Sequence, residues 1–147
     1  LTDYPAPAGG CLLTDKGYAN RLKDLFAHQD RYSENELHLL KYGRHFRLNA
    51  DAKIIVGRTK RDNVQMERYV DPGVDVVLKV RNFPGPLVVI PHGAAKETVL
   101  LAASICAGYS KAPNFSSVKA QLKSPQGKEV IKVIGIPPED VKKLMIT

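Results

Sequence analysis

Two periods of apolar and polar residues run along the chain and divide it into strands and helices. From residue 54 to 90 the pattern is that of strands. Ile54–Val56 and Leu87–Ile90 are continuous apolar runs of strand character. Between them Val76–Arg81 alternates: Val76, Leu78 and Val80 face one way, and Val77, Lys79 and Arg81 face the other. A Pro/Gly corner, Asn82-Phe83-Pro84-Gly85-Pro86, joins this strand to the run after it. Arg44–Leu48 also alternates, with Phe46 and Leu48 inward and His45 and Arg47 outward. A short turn, residues 49–52, pairs it with Lys53–Val56 as a hairpin. Late in the chain Ser117–Lys123 places Val118, Ala120 and Leu122 inward and Lys119, Gln121 and Lys123 outward. Turn chemistry at Ser124-Pro125-Gln126-Gly127 returns the chain as a second strand, Lys128–Ile134.

Helical spacing fills the rest. Tyr18, Leu22, Leu25 and Phe26 form the buried stripe of a helix capped by Thr14 or Asp15 and ending near His28. Ser33 and Glu36 make a capping box for a second helix, with Leu37 and Leu40 as its apolar edge and Gly43 as its stop. Asp62 or Asn63 caps a short helix to about Val70, with Met66, Tyr69 and Val70 toward the core; Asp71-Pro72-Gly73 ends it. The most apolar helix runs from Lys96 or Glu97 to Tyr109 and turns Val99, Leu100, Ala103, Ile105, Cys106 and Ala107 toward the sheet. A final short helix opens at Pro137 or Pro138, where Glu139 and Asp140 suit the helix dipole. The predicted fold is α/β (α+β): a single domain with a mixed, mostly antiparallel sheet and helices packed on it. Residues 1–14, rich in Pro, Ala and Gly, read as a linker or the end of a preceding domain. Residues 15–147 read as the folded unit, with two N-terminal helices.

Composition is consistent with one soluble domain: 147 residues, 44% hydrophobic and 25% charged. No apolar run approaches the roughly 20 residues that span a bilayer. The two cysteines, Cys11 and Cys106, have no metal or redox spacing, so a reduced, cytoplasmic setting is expected.

Charge changes the picture more. The formal net charge is +7, and the cations cluster. Lys41, Arg44, Arg47, Lys53, Arg58, Lys60, Arg61 and Arg68 crowd one stretch. Lys111, Lys119, Lys123, Lys128 and Lys132 crowd another, while the acids collect in the first helices and the last. This distribution favours a nucleic-acid partner. The segment Gly57-Arg58-Thr59-Lys60-Arg61-Asp62-Asn63 is a strand, a turn and a helix N-terminus. Its free backbone N–H groups and its Arg and Lys side chains suit phosphate oxygens. Lys79, Arg81 and Lys111 are further candidates. Spacing alone leaves open whether Lys79 and Arg81 share a face with Lys119 and Lys123.

Other chemistry is sparse. P-loop, GxGxxG, HExxH, CxxC and GxSxG patterns are absent. No metal or cofactor is expected, and this chain by itself is not expected to be catalytic. His28, His38, His45 and His92 read as surface or structural residues. Cys106, inside an apolar helix, reads as core. Cys11 follows a Gly pair, where backbone N–H groups lower a thiol pKa. It is either a small packed residue at a domain start or a sulfur-carrying or metal-binding cysteine belonging to a domain upstream.

The residues from Ile55 to Asn63 resemble the "GRNNRQN" segment of the NFACT-R domain. Asp75–Gly85 resembles that family's "DLWLHARDVPG" strand and corner, and Leu87–Ile90 matches the apolar strand after it. Ala102-Ala103 with Tyr109-Ser110-Lys111 is similar to its "AA…YYSKAR" helix end. The likeness covers about residues 54 to 134. Gly57, Arg58, Asn63, Arg81, Pro84 and Gly85 match; Val77 stands where the family has Trp, and Lys79 where it has His. The resemblance implies an RNA-binding module using Arg58, Lys60, Arg61, Asn63, Lys79, Arg81 and Lys111. Residues 7–15 and 21–25 look like the segment after the PP-loop domain of tRNA thiouridylase-like proteins. That likeness implies tRNA as the ligand, a preceding PP-loop domain as partner, and a thiouridylase-like transferase as parent. Two rivals stand beside it: a catalytic part of a tRNA sulfurtransferase using Cys11, and a protein-interaction module whose basic face meets an acidic partner.

Overall fold

The alternating segments become strands and the helically spaced segments become helices. In this computed structural model, which describes residues 16–113 and 115–146, two helices come first: α1 (Lys16–His28) and α2 (Glu34–Leu39). They lead into the expected hairpin of β1 (Arg44–Asn49) and β2 (Ala52–Val56). Helix α3 (Lys60–Arg68), strands β3 (Val76–Val80) and β4 (Val88–Ile90) and helix α4 (Lys96–Gly108) follow. The late hairpin, β5 (Ser117–Ser124) and β6 (Gly127–Ile134), precedes a short helix α5 (Pro138–Val141) and a 3-10 turn, Lys142–Leu144. The linker at residues 1–14, the Thr14 or Asp15 cap and Cys11 lie outside the described residues.

The strands form one sheet in the order β1-β2-β4-β3-β5-β6, and each pairing is antiparallel. The expected α/β fold, a mostly antiparallel sheet under packed helices, is the one that forms. One face of the sheet carries Phe46, Ile54, Val56, Leu78, Val88 and Ile90 against Ala102, Ala103, Ile105 and Cys106 of α4. Burying a side chain of Leu, Ile or Phe size contributes about 1.5–3 kcal/mol, so this layer dominates stability. Cys106 is core, as expected: its thiol donates to Pro86 O at 3.6 Å, and burial pushes its pKa up to about 12.

The opposite face is covered only in part. Leu39 from α2 and Met66 from α3 pack on Ile55 and Val89, flanked by Tyr42, Tyr69 and Val77. Strands β2 and β4 are therefore covered on both faces, which is why they read as unbroken apolar runs. On β5 and β6 the same face meets solvent, and on β5 the alternation is clean.

Several expectations are corrected. Phe26 is not in the buried stripe of α1; it is 50% exposed and rests beside the Tyr32 ring, centroids 5.1 Å apart. Leu100 of α4 is exposed, and Leu39, not foreseen, is buried. His45 does not point to solvent, because α2 and the turn after it lie over the outer face of β1. Its Nε2 faces two acceptors, Leu39 O at 3.2 Å and Tyr42 O at 2.9 Å, so Nε2 carries the proton and Nδ1 is left without a partner. Burial, with Lys53 and Arg21 nearby, holds the His45 pKa well below the ordinary imidazole value. The cap of α3 is Thr59, not Asp62 or Asn63: Thr59 Oγ1 accepts the Asp62 N–H at 3.1 Å. The capping box of Ser33 and Glu36 forms in full, and Gly43, at φ +72°, turns the chain into β1.

Candidate nucleic-acid interface

Topology gathers the basic segments at one end of the sheet. Because β4 runs antiparallel between them, β2 and β3 run parallel, and both end where β1 and β4 begin. The Gly57–Thr59 loop, the Asn82–Pro86 corner and Arg44 therefore lie together. Three hydrogen bonds tie this end down. Gly57 N–H donates to Leu87 O at 3.0 Å, Leu87 N–H to Asn63 Oδ1 at 3.0 Å, and Lys111 N–H to Pro84 O at 2.7 Å. A Cβ on residue 57 would overlap Asn63 Oδ1, so glycine is what lets the loop close on that amide.

Between these segments lies an open groove of about 770 Å³. Arg58, Lys60, Lys79 and Lys111 line it, with Phe83 and Tyr109 as aromatic walls. Arg44 sits over the Tyr109 ring, 5.1 Å from its centroid. Burial raises the Tyr109 pKa, and Arg44 opposes the rise. Asn63 also lines the groove, but its side-chain oxygen is engaged with Leu87 N–H. Acids temper the site. Asp62 Oδ2 accepts from the Arg58 backbone N–H at 3.1 Å and from Arg58 Nε at 3.2 Å, and Glu67 is on the wall. Arg61 and Arg81 are exposed but do not line the groove.

Strand register answers the question that spacing left open. Lys79 pairs with Gln121 and Val77 with Lys123, so the outer sides of β3 and β5 are one face. On β6, Lys132 lies directly opposite Lys119, and Lys128 directly opposite Lys123. Arg81 continues the row, its N–H donating to Lys119 O at 2.9 Å. Lys79, Arg81, Lys119, Lys123, Lys128 and Lys132 are thus neighbours on an open face. No acidic side chain of β3, β5 or β6 points to it: Glu129 pairs with Leu122 and shares the other face. Among the described residues none of the six makes a salt bridge. Opposed like charges on a sheet are destabilising, on a scale of about 0.2–1 kcal/mol per pair. Lys128 and Lys132, and Arg44 with its aromatic neighbours, were not singled out as site residues from the sequence. The signal that points to the two lysines is the pairing of β6 with the alternating β5 across the Ser124–Gly127 turn.

Residues 43–145 match the NFACT protein RNA binding domain. The chain belongs to that family. This NFACT domain is accordingly an RNA-binding module, and its basic groove and lysine face both lie within the matched residues. A solved structure similar to it is the C-terminal of the fibronectin/fibrinogen-binding protein from Streptococcus suis, with a TM-score of 0.60 and 17% identity. The likeness covers 90% of this chain and 62% of that one, and at this identity it shows the shared fold. No curated protein matches the sequence. Among the described residues, no group of three or more His, Cys, Asp or Glu is placed to hold a metal ion, and no helix is long and apolar enough to cross a membrane.

Proposed function

We propose that this domain binds structured RNA, with tRNA as its ligand class, by laying phosphates across the β5–β6 lysine face and the groove beside it. The opposed pairs Lys119–Lys132 and Lys123–Lys128 support this reading: among the described residues neither pair makes a salt bridge, and a bound polyanion would offset their repulsion. Lys79 links the face to the groove, where Arg58, Lys60 and Lys111 add positive charge. The resemblance of residues 7–25 to the segment after a PP-loop domain supports tRNA as the ligand. It also supports a parent that inserts sulfur into tRNA, with this module presenting the substrate.

The test is filter binding of tRNA to the 147-residue chain and to a variant carrying Lys119→Ser, Lys123→Ser, Lys128→Ser and Lys132→Ser. Affinity is expected to fall at least tenfold at low salt. The slope of log K against log salt should flatten by roughly 0.7–0.9 for each phosphate contact removed. Unchanged retention of tRNA by a folded quadruple variant overturns the reading. An equal loss for tRNA and for a DNA duplex of the same length removes the tRNA assignment and leaves a general polyanion surface.

A further inference from the structure

A second basic site lies at the other end of the sheet, where β1 ends, β2 begins and β4 ends. An open pocket of about 350 Å³ is lined there by residues that include His28, Arg31, Arg47, Lys53 and His92. Arg47 and Lys53 are directly opposed across the β1–β2 pair and lie on the sheet face that α1 and α2 cover. Both are withdrawn from water: Lys53 is only 6% exposed, and the Arg47 side chain 17%. Of these two cations only Arg47 is salt-bridged among the described residues. Arg47 takes the Asp24 carboxylate, with Nε donating to both oxygens at 3.2 Å and Nη2 paired as well.

The next carboxylate, Glu36, is already engaged. It accepts from Ser33 N–H at 3.0 Å and from Gln29 Nε2 at 2.9 Å, and it pairs with His92 Nε2 at 3.0 Å. Asp30 and Asp51 are exposed residues that also line the pocket. Among the described residues the Lys53 ammonium has no hydrogen bond and no ion pair. A charge so far withdrawn from water, with carboxylates acting on it only from beyond ion-pair distance, is costly to a fold. Burial accordingly lowers the Lys53 pKa to about 8, with Asp24 and Glu36 acting against the fall and Arg47 and Arg21 adding to it.

We infer that this pocket is a binding site for a small oxyanion, a phosphate or a carboxylate, held by Lys53 and Arg47 with Arg31 at its mouth. A phosphate monoanion or dianion in this pocket would give Lys53 the close ion pair that no carboxylate among the described residues makes with it. The site is separate from the RNA face and does not depend on it.

The experiment is a titration of the isotopically labelled 147-residue chain with sodium phosphate, followed by amide NMR shifts, with sodium chloride at matched ionic strength as control. The expected result is a saturable shift confined to residues near Arg31, Arg47, Lys53 and His92, absent with chloride. Affinity should fall at least tenfold in Lys53→Met and several-fold in Arg31→Ala. Arg31 is exposed, so its variant keeps the test intact if Lys53→Met does not fold. Shifts that match the chloride control, or an unchanged affinity in Arg31→Ala and Lys53→Met alike, overturn the proposal. Two further arms separate the sources. Acetate competing with phosphate assigns a free small oxyanion. A 5′-phosphorylated oligonucleotide that binds better than its 5′-hydroxyl twin, with the gain lost in Lys53→Met, assigns an RNA end.

Discussion

Lys119 of β5 stands directly opposite Lys132 of β6, with neither salt-bridged. Opposite charges across a strand pair stabilise it, and like charges do the reverse. A sheet shaped for stability alone would place Glu or Thr at one of these positions. Two residues further along, Gln121 faces Val130, and then Lys123 faces Lys128. Repetition along the same face makes an accident of sequence a poor explanation, and binding of a polyanion a good one.

Replacing Lys119 and Lys132 together by Thr should therefore separate stability from function. Thr suits a strand and removes the repulsion, so unfolding free energy should hold or rise by up to about 1 kcal/mol. RNA affinity should fall several-fold or more. Urea denaturation and filter binding on the same preparation check both halves. A double variant that loses stability in step with affinity would mean that the pair is structural.

Arg58 and Lys79 both line the groove, yet they should behave differently. Lys79 has no acidic partner, so Lys79→Ala should weaken RNA binding, flatten the salt slope by roughly 0.7–0.9, and leave stability within about 0.5 kcal/mol. Arg58 shares Asp62 with the α3 N-terminus, which lessens what it offers to a phosphate. Arg58→Ala should change the salt slope less. Thr59→Ala, which removes the cap, should destabilise by about 1 kcal/mol. Salt titrations of the two single variants decide the order; equal slopes would show that the Asp62 pair opens on binding.

The strands were legible because the sheet is half bare. On β5, where one side is wet, period-two alternation marked the faces correctly. On β1 the same rule put His45 outside, and it failed because α2 covers that side. Covering of an outer face by a helix distant in pattern is tertiary information that alternation does not contain. Phe26 failed for the opposite reason: a residue at helical spacing is buried only if something lies against it. Of the cations, Arg58, Lys60, Lys79 and Lys111 do come together at one groove, because β2 and β3 end at the same edge. That convergence depends on strand order, which no local window of residues encodes. Thr59 was overlooked as a cap in favour of Asp62 and Asn63, although its hydroxyl is well placed three residues ahead of an acid.

His45 makes stability depend on acid. Its folded pKa lies well below the ordinary 6.5, because the ring is buried with Lys53 and Arg21 nearby, and the two carbonyls it faces offset this only in part. Below about 6.5 the unfolded chain binds a proton that the folded chain refuses. The contribution of a neutral His45 is thus complete above pH 6.5 and is lost as pH falls beneath it. Denaturation between pH 5 and 7.5 should show the loss, and His45→Gln should flatten that part of the profile. An equally steep acid limb in the variant would assign it to other groups.

Lys53 makes the opposite end of the pH scale informative. Its pKa of about 8, against an ordinary 10.5, means that the fold disfavours the charged amine. At 1.36 kcal/mol per pH unit this amounts to roughly 3 kcal/mol as an upper figure. The penalty is fully present below pH 8, where both states carry the proton. It fades between 8 and 10.5, where only the unfolded chain does. Lys53→Met, of similar length and without charge, should therefore raise stability by about 1–3 kcal/mol at pH 7, and the advantage should shrink as pH approaches 10.5. Phosphate should raise the stability of the wild type and leave that of the variant unchanged, so the gap also narrows at neutral pH as phosphate is added. Paired denaturation curves at pH 7 and pH 10, each with and without phosphate, measure all of this. A variant less stable than the wild type at pH 7 would mean that the ammonium is already satisfied in the folded protein, and the idea of a vacant counter-charge would fail with it.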